Sequence, residues 1–301
     1  MKAIILKRYG GVDQLQLTEV PKPSIKPNEL LISVKAVNIA SGDYKINTLN
    51  VNVLLKPILR LVFGFFRPRQ QIRGITASGV IAQLGNKVTN HQVGDEVYFI
   101  NSMGAGCLAD FVKLKDTAVM VKKPANISFI EAAPIAFGAM SAFYFINDKT
   151  IHKDQNVLIY GASGSVGSYA LQIAKYLGAK VTAVSSQKNH QALLGLGADQ
   201  VIDYKKTDIS TLDFNYDVIF DAVGKIKKKH VKHLLSESGK FYSILLPTKE
   251  DKQRLIVLNQ MIEAGKLKTL LDGKYNISQY KAAHQKVYDG HKVGNVVIEW
   301  V

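Results

Sequence analysis

The chain has 301 residues, 47% of them hydrophobic, and its mean hydropathy of +0.03 is that of a globular protein long enough for two domains. Its one cysteine, Cys107, rules out an intrachain disulfide framework and leaves almost no room for a cysteine-built zinc site. A formal net charge of +15 raises nucleic acid or an acidic membrane as partners, yet the lysines are scattered, and the one dense run, Lys225–Lys232, reads as a solvated helix face.

The opening run Met1–Leu6 is too short for a secretory signal, and Lys7-Arg8 follows it where a cleavage site would stand. A reducing cytoplasm is the expected location. The first 122 residues read as mostly β. Alternating segments recur at Ala3–Leu6, Leu15–Glu19, Glu29–Ala36, Ala77–Leu84, Glu96–Ile100, Ala109–Leu114 and Ala118–Val121, broken by turn residues such as Gly94-Asp95. Many short strands at this spacing predict a compact, barrel-like β domain. One segment departs from it. Leu54–Phe66 is apolar, carries Lys56 and Arg60, and is too short to span a bilayer. Pro57 suits a first helical turn and Gly64 a helix end. The segment is predicted as a buried lid or interface helix, with a basic amphipathic surface anchor as the other reading.

From Ser128 the period changes. Ser128 and Glu131 form a capping box, which predicts a helix over Phe129–Ile146. The central signal follows. Asn156–Tyr160 is apolar enough for a buried parallel strand. Gly161-Ala162-Ser163-Gly164-Ser165-Val166-Gly167 comes next, and then a helix with Val166, Ala170, Ile173, Ala174 and Leu177 on one face. Strand, glycine turn and helix make a phosphate-binding motif. Gly161 allows the tight turn, Gly164 the approach of a pyrophosphate, and Gly167 close packing of helix on strand. The spacing GxxGxxG is also that of a tight turn with no ligand.

Lys180–Val184 reads as the second strand. At its end a dinucleotide site usually carries a carboxylate for the ribose 2′-hydroxyl. Here stand Ser185, Ser186, Gln187 and Lys188, with hydroxyls and a cation to hold a 2′-phosphate. NADPH is therefore expected over NADH, unless Lys188 is an ordinary solvated lysine. Beyond it lie a helix over His190–Leu196 and strands at Val201–Asp203, Asp217–Ala222 and Lys240–Leu245. Then come a helix over Leu255–Ala264, the segment Lys268–Leu271, a helix near Ser278–Tyr288 and a strand at Val296–Trp300. Strands alternating with helices predict an α/β domain with a doubly wound parallel sheet.

The ordered blocks MKAI, LTEVPKP, Glu29–Ile46, GITASGVIAQLG, VGDEVY, EAAPIAFGAMSA, YGASGSVG, LGADQVIDY and DGHKVGNVVIE span essentially the whole chain. In them the sequence resembles the zinc-independent medium-chain dehydrogenase/reductases of the quinone oxidoreductase (ζ-crystallin-like) family. Within that family it is most similar to the chloroplast-envelope homologues and bacterial enone reductases. The resemblance implies a GroES-like catalytic domain, residues 1–123 and 266–301. It implies a Rossmann domain over 124–265, with NADPH in the cleft between them. Zinc-binding relatives carry a cysteine near Ala40 and a His-Glu pair at Ile75-Thr76. Neither is present, nor is the four-cysteine loop, so no Lewis acid is expected to polarise an alcohol. The acceptors implied are quinones and α,β-unsaturated carbonyls.

The same resemblance assigns site residues. Asp43 matches the family's Asn-Pro-x-Asp stretch, in which Ala40 and Ser41 replace Asn and Pro. Lys45 and Tyr44 are the candidate proton donors, each also readable as a cofactor-positioning or surface residue. Tyr204 flanks the adenosine phosphate. Gly138 and Ser141 match a Gly-x-x-Thr near the nicotinamide. Val223-Gly224 and Ile244-Leu245 follow the fourth and fifth strands, where the nicotinamide half rests. Gly294-Asn295 matches a tail turn that touches the cofactor. Relatives have another strand after the fifth, on which family dimers pair. Here Leu245-Leu246-Pro247 runs almost directly into the next helix, which predicts a monomer or a dimer built through another surface. A second function stays open, that of an NADPH-responsive protein binding RNA or an anionic membrane surface with little turnover. Of these partners, nucleic acid is the less expected.

Overall fold

The computed structural model describes residues 1–53 and 56–300. Apolar alternation in the first third of the chain becomes seven strands. These are β1 Lys2–Leu6, β2 Leu15–Glu19, β3 Glu29–Ile39, β4 Thr76–Leu84, β5 Glu96–Ile100, β6 Phe111–Lys115 and β7 Met120–Lys122, with α1 Ser41–Thr48 and α2 Lys56–Phe63 between β3 and β4. Then come α3 Phe129–Ala132, α4 Gly138–Phe145, β8 Asn156–Tyr160, α5 Ser165–Tyr176, β9 Lys180–Ser185 and α6 His190–Gly195. They are followed by β10 Gln200–Asp203, β11 Tyr216–Asp221, α7 Lys228–Val231, β12 Leu235–Ser243 and α8 Lys252–Glu263. Last are β13 Leu271–Asn276, α9 Tyr280–Tyr288 and β14 Asn295–Glu299. Two compact units result: Met1–Phe137 with the segment from Leu271 onward, and Gly138–Leu270.

The first unit is organised on β3. This long strand pairs antiparallel with β4, β6 and β14, and most of its residues are buried. The sheet runs β13-β14-β3-β4-β5-β7, with β6 attached to β3, while β1 and β2 form a separate antiparallel pair. Ile4, Ile32, Val37, Ile81, Phe99 and Ile298 are buried together in its core. The last strand, β14, sits beside the third because Val296–Glu299 pairs with Ala36–Ile39.

The second unit is a five-stranded, all-parallel sheet in the order β10-β9-β8-β11-β12. The chain moves outward from β8 to β10, then returns to add β11 on the other side of β8. That reversal leaves a crevice at the C-terminal ends of β8 and β11, where doubly wound sheets bind ligands. β12 pairs only with β11 among the described residues. Helix α8 packs against α4, with Leu255, Leu258, Met261 and Ile262 buried.

Four sequence expectations change. The capping box forms, Ser128 Oγ accepting from the Glu131 amide, but the helix stops at Ala132 and resumes at Gly138. Pro134 has no amide to continue it, and the turns Ile135 N–H to Ala132 O and Phe137 N–H to Pro134 O replace it. The lysine run holds only the single turn α7. The fifth strand begins earlier, at Leu235, bulges, and ends at Ser243, so Ile244 and Leu245 lie just past it. Finally, α2 is a helix but not a buried one: none of its residues is buried within this chain. The expectation for that segment also covered Leu54 and Leu55, which lie outside the described residues.

Candidate functional site

In the second unit the nucleotide candidates gather along one edge of the parallel sheet. Gly161 turns the chain at φ +75°, and a Cβ there would lie 2.1 Å from Val223 Cγ2. A Cβ on Gly167 would lie 2.3 Å from the Gly161 carbonyl oxygen. The fold itself therefore demands both glycines. Gly164 is different. Its φ of −76° suits any residue, and a Cβ would meet only the Gly161 oxygen, at an ordinary 3.4 Å. Nothing among the described residues needs Gly164 to lack a side chain, so the bare backbone there fits a group that approaches from outside. Gly164 is also the N-cap of α5 and supplies no side-chain cap. The positive end of that helix, with Ser165, Val166 and Gly167 in its first turn, faces the same place. These residues fit a dinucleotide pyrophosphate.

The surrounding side chains are held by contacts that the sequence did not announce. Asn189, 7% exposed, donates from Nδ2 to Ser163 Oγ at 2.9 Å and to Ser186 Oγ at 3.2 Å. It ties the glycine turn to the end of β9. Ser185 is buried and donates to the Ser186 carbonyl, while Lys188 stands exposed in the next 3-10 turn without an ion pair among the described residues. The Tyr204 ring, 6.2 Å from that of Tyr160, is exposed near the ends of β9 and β10. At the end of β11, the fully buried Asp221 carboxylate accepts three amides: Val223 (3.0 Å), Gly224 (2.8 Å) and Ile226 (2.8 Å). This clamp shapes the Val223-Gly224 turn, leaving Val223 and Leu245 exposed. An Asp ending a strand before Ala-Val-Gly is a readable Asx-turn signal; Asn189 carries no such signal. Gly138 packs so tightly on α5 that a Cβ would lie 2.6 Å from Ser165 Oγ, and Ser141 is buried on the same helix.

The remaining candidates belong to the first unit. Asp43 is buried, and its carboxylate accepts the Ala40 amide at 2.9 Å, stabilising the start of α1. Burial raises its pKa, opposed by that amide and by Arg73. Asp43 thus has a positional task in the fold. The Tyr44 ring packs at a tilt against that of Tyr288, 4.6 Å between centroids, and its hydroxyl accepts from Asn50 Nδ2 at 2.7 Å. Lys45 is exposed and unpaired among the described residues. Beneath them, buried Asn47 accepts from Arg73 Nε at 3.0 Å and donates to the Tyr288 hydroxyl at 3.2 Å. Asn295, fully buried, opens β14, whose pairing of Val296 with Ile39 sets it beside the start of α1. In the same tail turn, half-buried Lys292 donates to the Gly294 carbonyl, and burial pulls its ammonium down to about 8. Buried Asn38 was missed by the sequence reading: Nδ2 donates to Thr76 Oγ1 at 3.4 Å, and Oδ1 has no partner among the described residues. Among the described residues no group of three His, Cys, Asp or Glu is placed to hold a metal ion.

A β-rich unit receiving the C-terminal strand, joined to a Rossmann unit, is the architecture of a medium-chain dehydrogenase/reductase. Family models agree: residues 26–156 match the alcohol dehydrogenase GroES-like domain, and residues 165–286 match the zinc-binding dehydrogenase domain. A chloroplastic quinone-oxidoreductase of Triphysaria versicolor is 30% identical over 99% of this chain and 98% of its own length. The NADPH-dependent alkenal/one oxidoreductase of Arabidopsis thaliana chloroplasts is also 30% identical, over 99% of this chain and 79% of the relative. A solved quinone oxidoreductase from Coxiella burnetii superposes with a TM-score of 0.85 at 25% identity, covering 99% of each chain. The chain belongs to the quinone oxidoreductase family of medium-chain dehydrogenase/reductases, and it is an oxidoreductase.

Proposed function

We propose that this chain reduces quinones or the activated C=C bond of α,β-unsaturated carbonyls with NADPH, without a catalytic metal. One observation carries the cofactor assignment. Of the three glycines in the turn after β8, only Gly164 has no steric reason among the described residues, and it caps a helix whose positive end lies there. When bound, the reduced nicotinamide supplies a hydride to the acceptor.

The protein's own part is holding and orienting. The amides of Ser165 to Gly167 hold the pyrophosphate, while the Gly164 amide closes the turn onto the Gly161 carbonyl. Ser186 and Lys188 hold the 2′-phosphate, with Asn189 keeping Ser186 and Ser163 in place. Tyr204 flanks the adenosine. Val223 and Gly224, shaped by the Asp221 clamp, form with Ile244 and Leu245 the apolar rest for the other half. Lys45 and Tyr44 are the donors that would meet negative charge developing on an acceptor oxygen and deliver a proton. Ala40, Ile75 and Thr76 offer no metal ligand set, so acceptors that need little polarisation fit best. Relatives named for quinone and for alkenal/one reduction support that class. The test follows the absorbance of reduced cofactor with a panel of quinones and enones. Tight NADPH binding with no turnover of any acceptor would refute the catalytic reading.

A further inference from the structure

Helix α2 and the segment after it present two features that the oxidoreductase chemistry does not use. The first is apolar. Ile58, Leu61, Val62, Phe65 and Phe66 are all exposed, Leu61 by 71% and Phe66 by 85%. Water is a poor solvent for such a contiguous patch. The second is basic. Lys7, Arg8, Arg67 and Arg69 line a recess of about 970 Å³ together with Phe65, Phe66 and Gln71. Arg60 lies 5.7 Å from the Phe65 ring. Among the described residues none of these five cations makes an ion pair, and no Asp or Glu occurs anywhere between Asp43 and Asp95.

The segment is also held in shape. The Tyr9 hydroxyl donates to the Gly64 carbonyl at 2.8 Å, and the Arg69 amide donates to the Phe63 carbonyl at 2.7 Å. Gly64 has φ +120°, and a Cβ there would lie 2.1 Å from the Arg67 oxygen. The turn thus sets Phe65, Phe66, Arg67 and Arg69 at one place on the surface.

We propose that this face docks the protein peripherally on an anionic membrane, the apolar side chains entering the boundary of the acyl region and the arginines meeting lipid phosphates. Charge decides among the possible occupants. A second copy docked across a two-fold axis would set the same cations against each other, with no carboxylate in the segment to offset them. RNA would satisfy the arginines and stack on the phenylalanines, but it gives Ile58, Leu61 and Val62 nothing to contact. An anionic bilayer satisfies both features at once.

The test is sedimentation of the full chain with phosphatidylcholine vesicles, with or without phosphatidylserine. Binding is expected only with phosphatidylserine, weakening steeply as salt is raised. Each basic residue near such a surface is worth about fivefold in partitioning, so Arg67→Gln with Arg69→Gln is expected to lower binding roughly 25-fold. Phe65→Ser with Phe66→Ser is expected to lower it as well. All four side chains are exposed, so both variants are expected to melt with the wild type. No binding, equal binding to phosphatidylcholine alone, or binding unmoved by either variant would overturn the proposal. So would RNA binding that the arginine variant alone abolishes, or a dimer that the phenylalanine variant dissociates.

Discussion

Gly164→Ala separates a glycine kept for a ligand from glycines kept for the fold. At Gly164 two small effects on the free protein oppose each other. Alanine lowers the entropy of the unfolded chain, worth about 0.4–1 kcal/mol in stability at a compatible backbone. It is also a worse N-cap than glycine, by about 0.5–1 kcal/mol. With the nearest atom 3.4 Å from the new Cβ, no clash adds to this. The expected net change is close to zero, a melting shift within about 2 °C. Gly167→Ala is the control. Its Cβ would lie 2.3 Å from the Gly161 oxygen and 2.8 Å from Ala162 Cα, both backbone atoms that cannot rotate away. Overpacking of this kind costs about 1–3 kcal/mol, a drop of roughly 3–10 °C. Binding is expected to reverse the ranking at Gly164. A methyl group between the turn and a pyrophosphate would cost one charge-assisted hydrogen bond, about 1.5–3 kcal/mol, or roughly ten- to hundredfold in Kd. Thermal melts and NADPH titration by fluorescence read the two quantities separately. Gly164→Ala protein that binds NADPH within about twofold of wild type would refute the argument, whatever its melting temperature.

Four further outcomes are expected. Lys188→Ala should weaken NADPH about tenfold and leave NADH nearly unchanged, because an exposed cation contributes only through the 2′-phosphate; equal losses would remove the basis for that assignment. Asp221→Ala should strand three amides at the end of β11, costing about 3 kcal/mol in urea denaturation and loosening cofactor binding, and a variant as stable as wild type would show that the clamp is idle. His284 is fully buried, and burial pulls its imidazole from about 6.5 down to about 4, against the Nδ1–H bond to the Tyr280 carbonyl. The unfolded chain therefore binds the extra proton between those values, so stability should fall by about 3 kcal/mol as pH drops from 6.5 to 4, and His284→Leu should flatten that slope. Cys107 is buried with its thiol pushed well above the ordinary value, first by burial and then by Asp43, so native protein should resist iodoacetamide at mildly alkaline pH, while unfolded protein reacts.

Local pattern was enough for much of this protein. The glycine turn between Asn156–Tyr160 and Ser165–Tyr176 was legible because a buried parallel strand, three glycines and an amphipathic run are all short-range signals. The same holds for the alternating strands of the first 122 residues and for the Ser128–Glu131 cap. Tertiary structure decided what depends on distant neighbours. The three glycines look alike in sequence, and only Val223, brought in after β11, shows why Gly161 must be bare while Gly164 need not be. Asn189 and Asp221 could be placed in the site only once β9 and β11 flanked β8 and their side chains met the turns beside them. Asp43 read as a site residue, but burial against Ala40 gave it a structural partner. The face of α2 was beyond any sequence argument, because an apolar helix is exposed or buried according to what the rest of the chain leaves beside it.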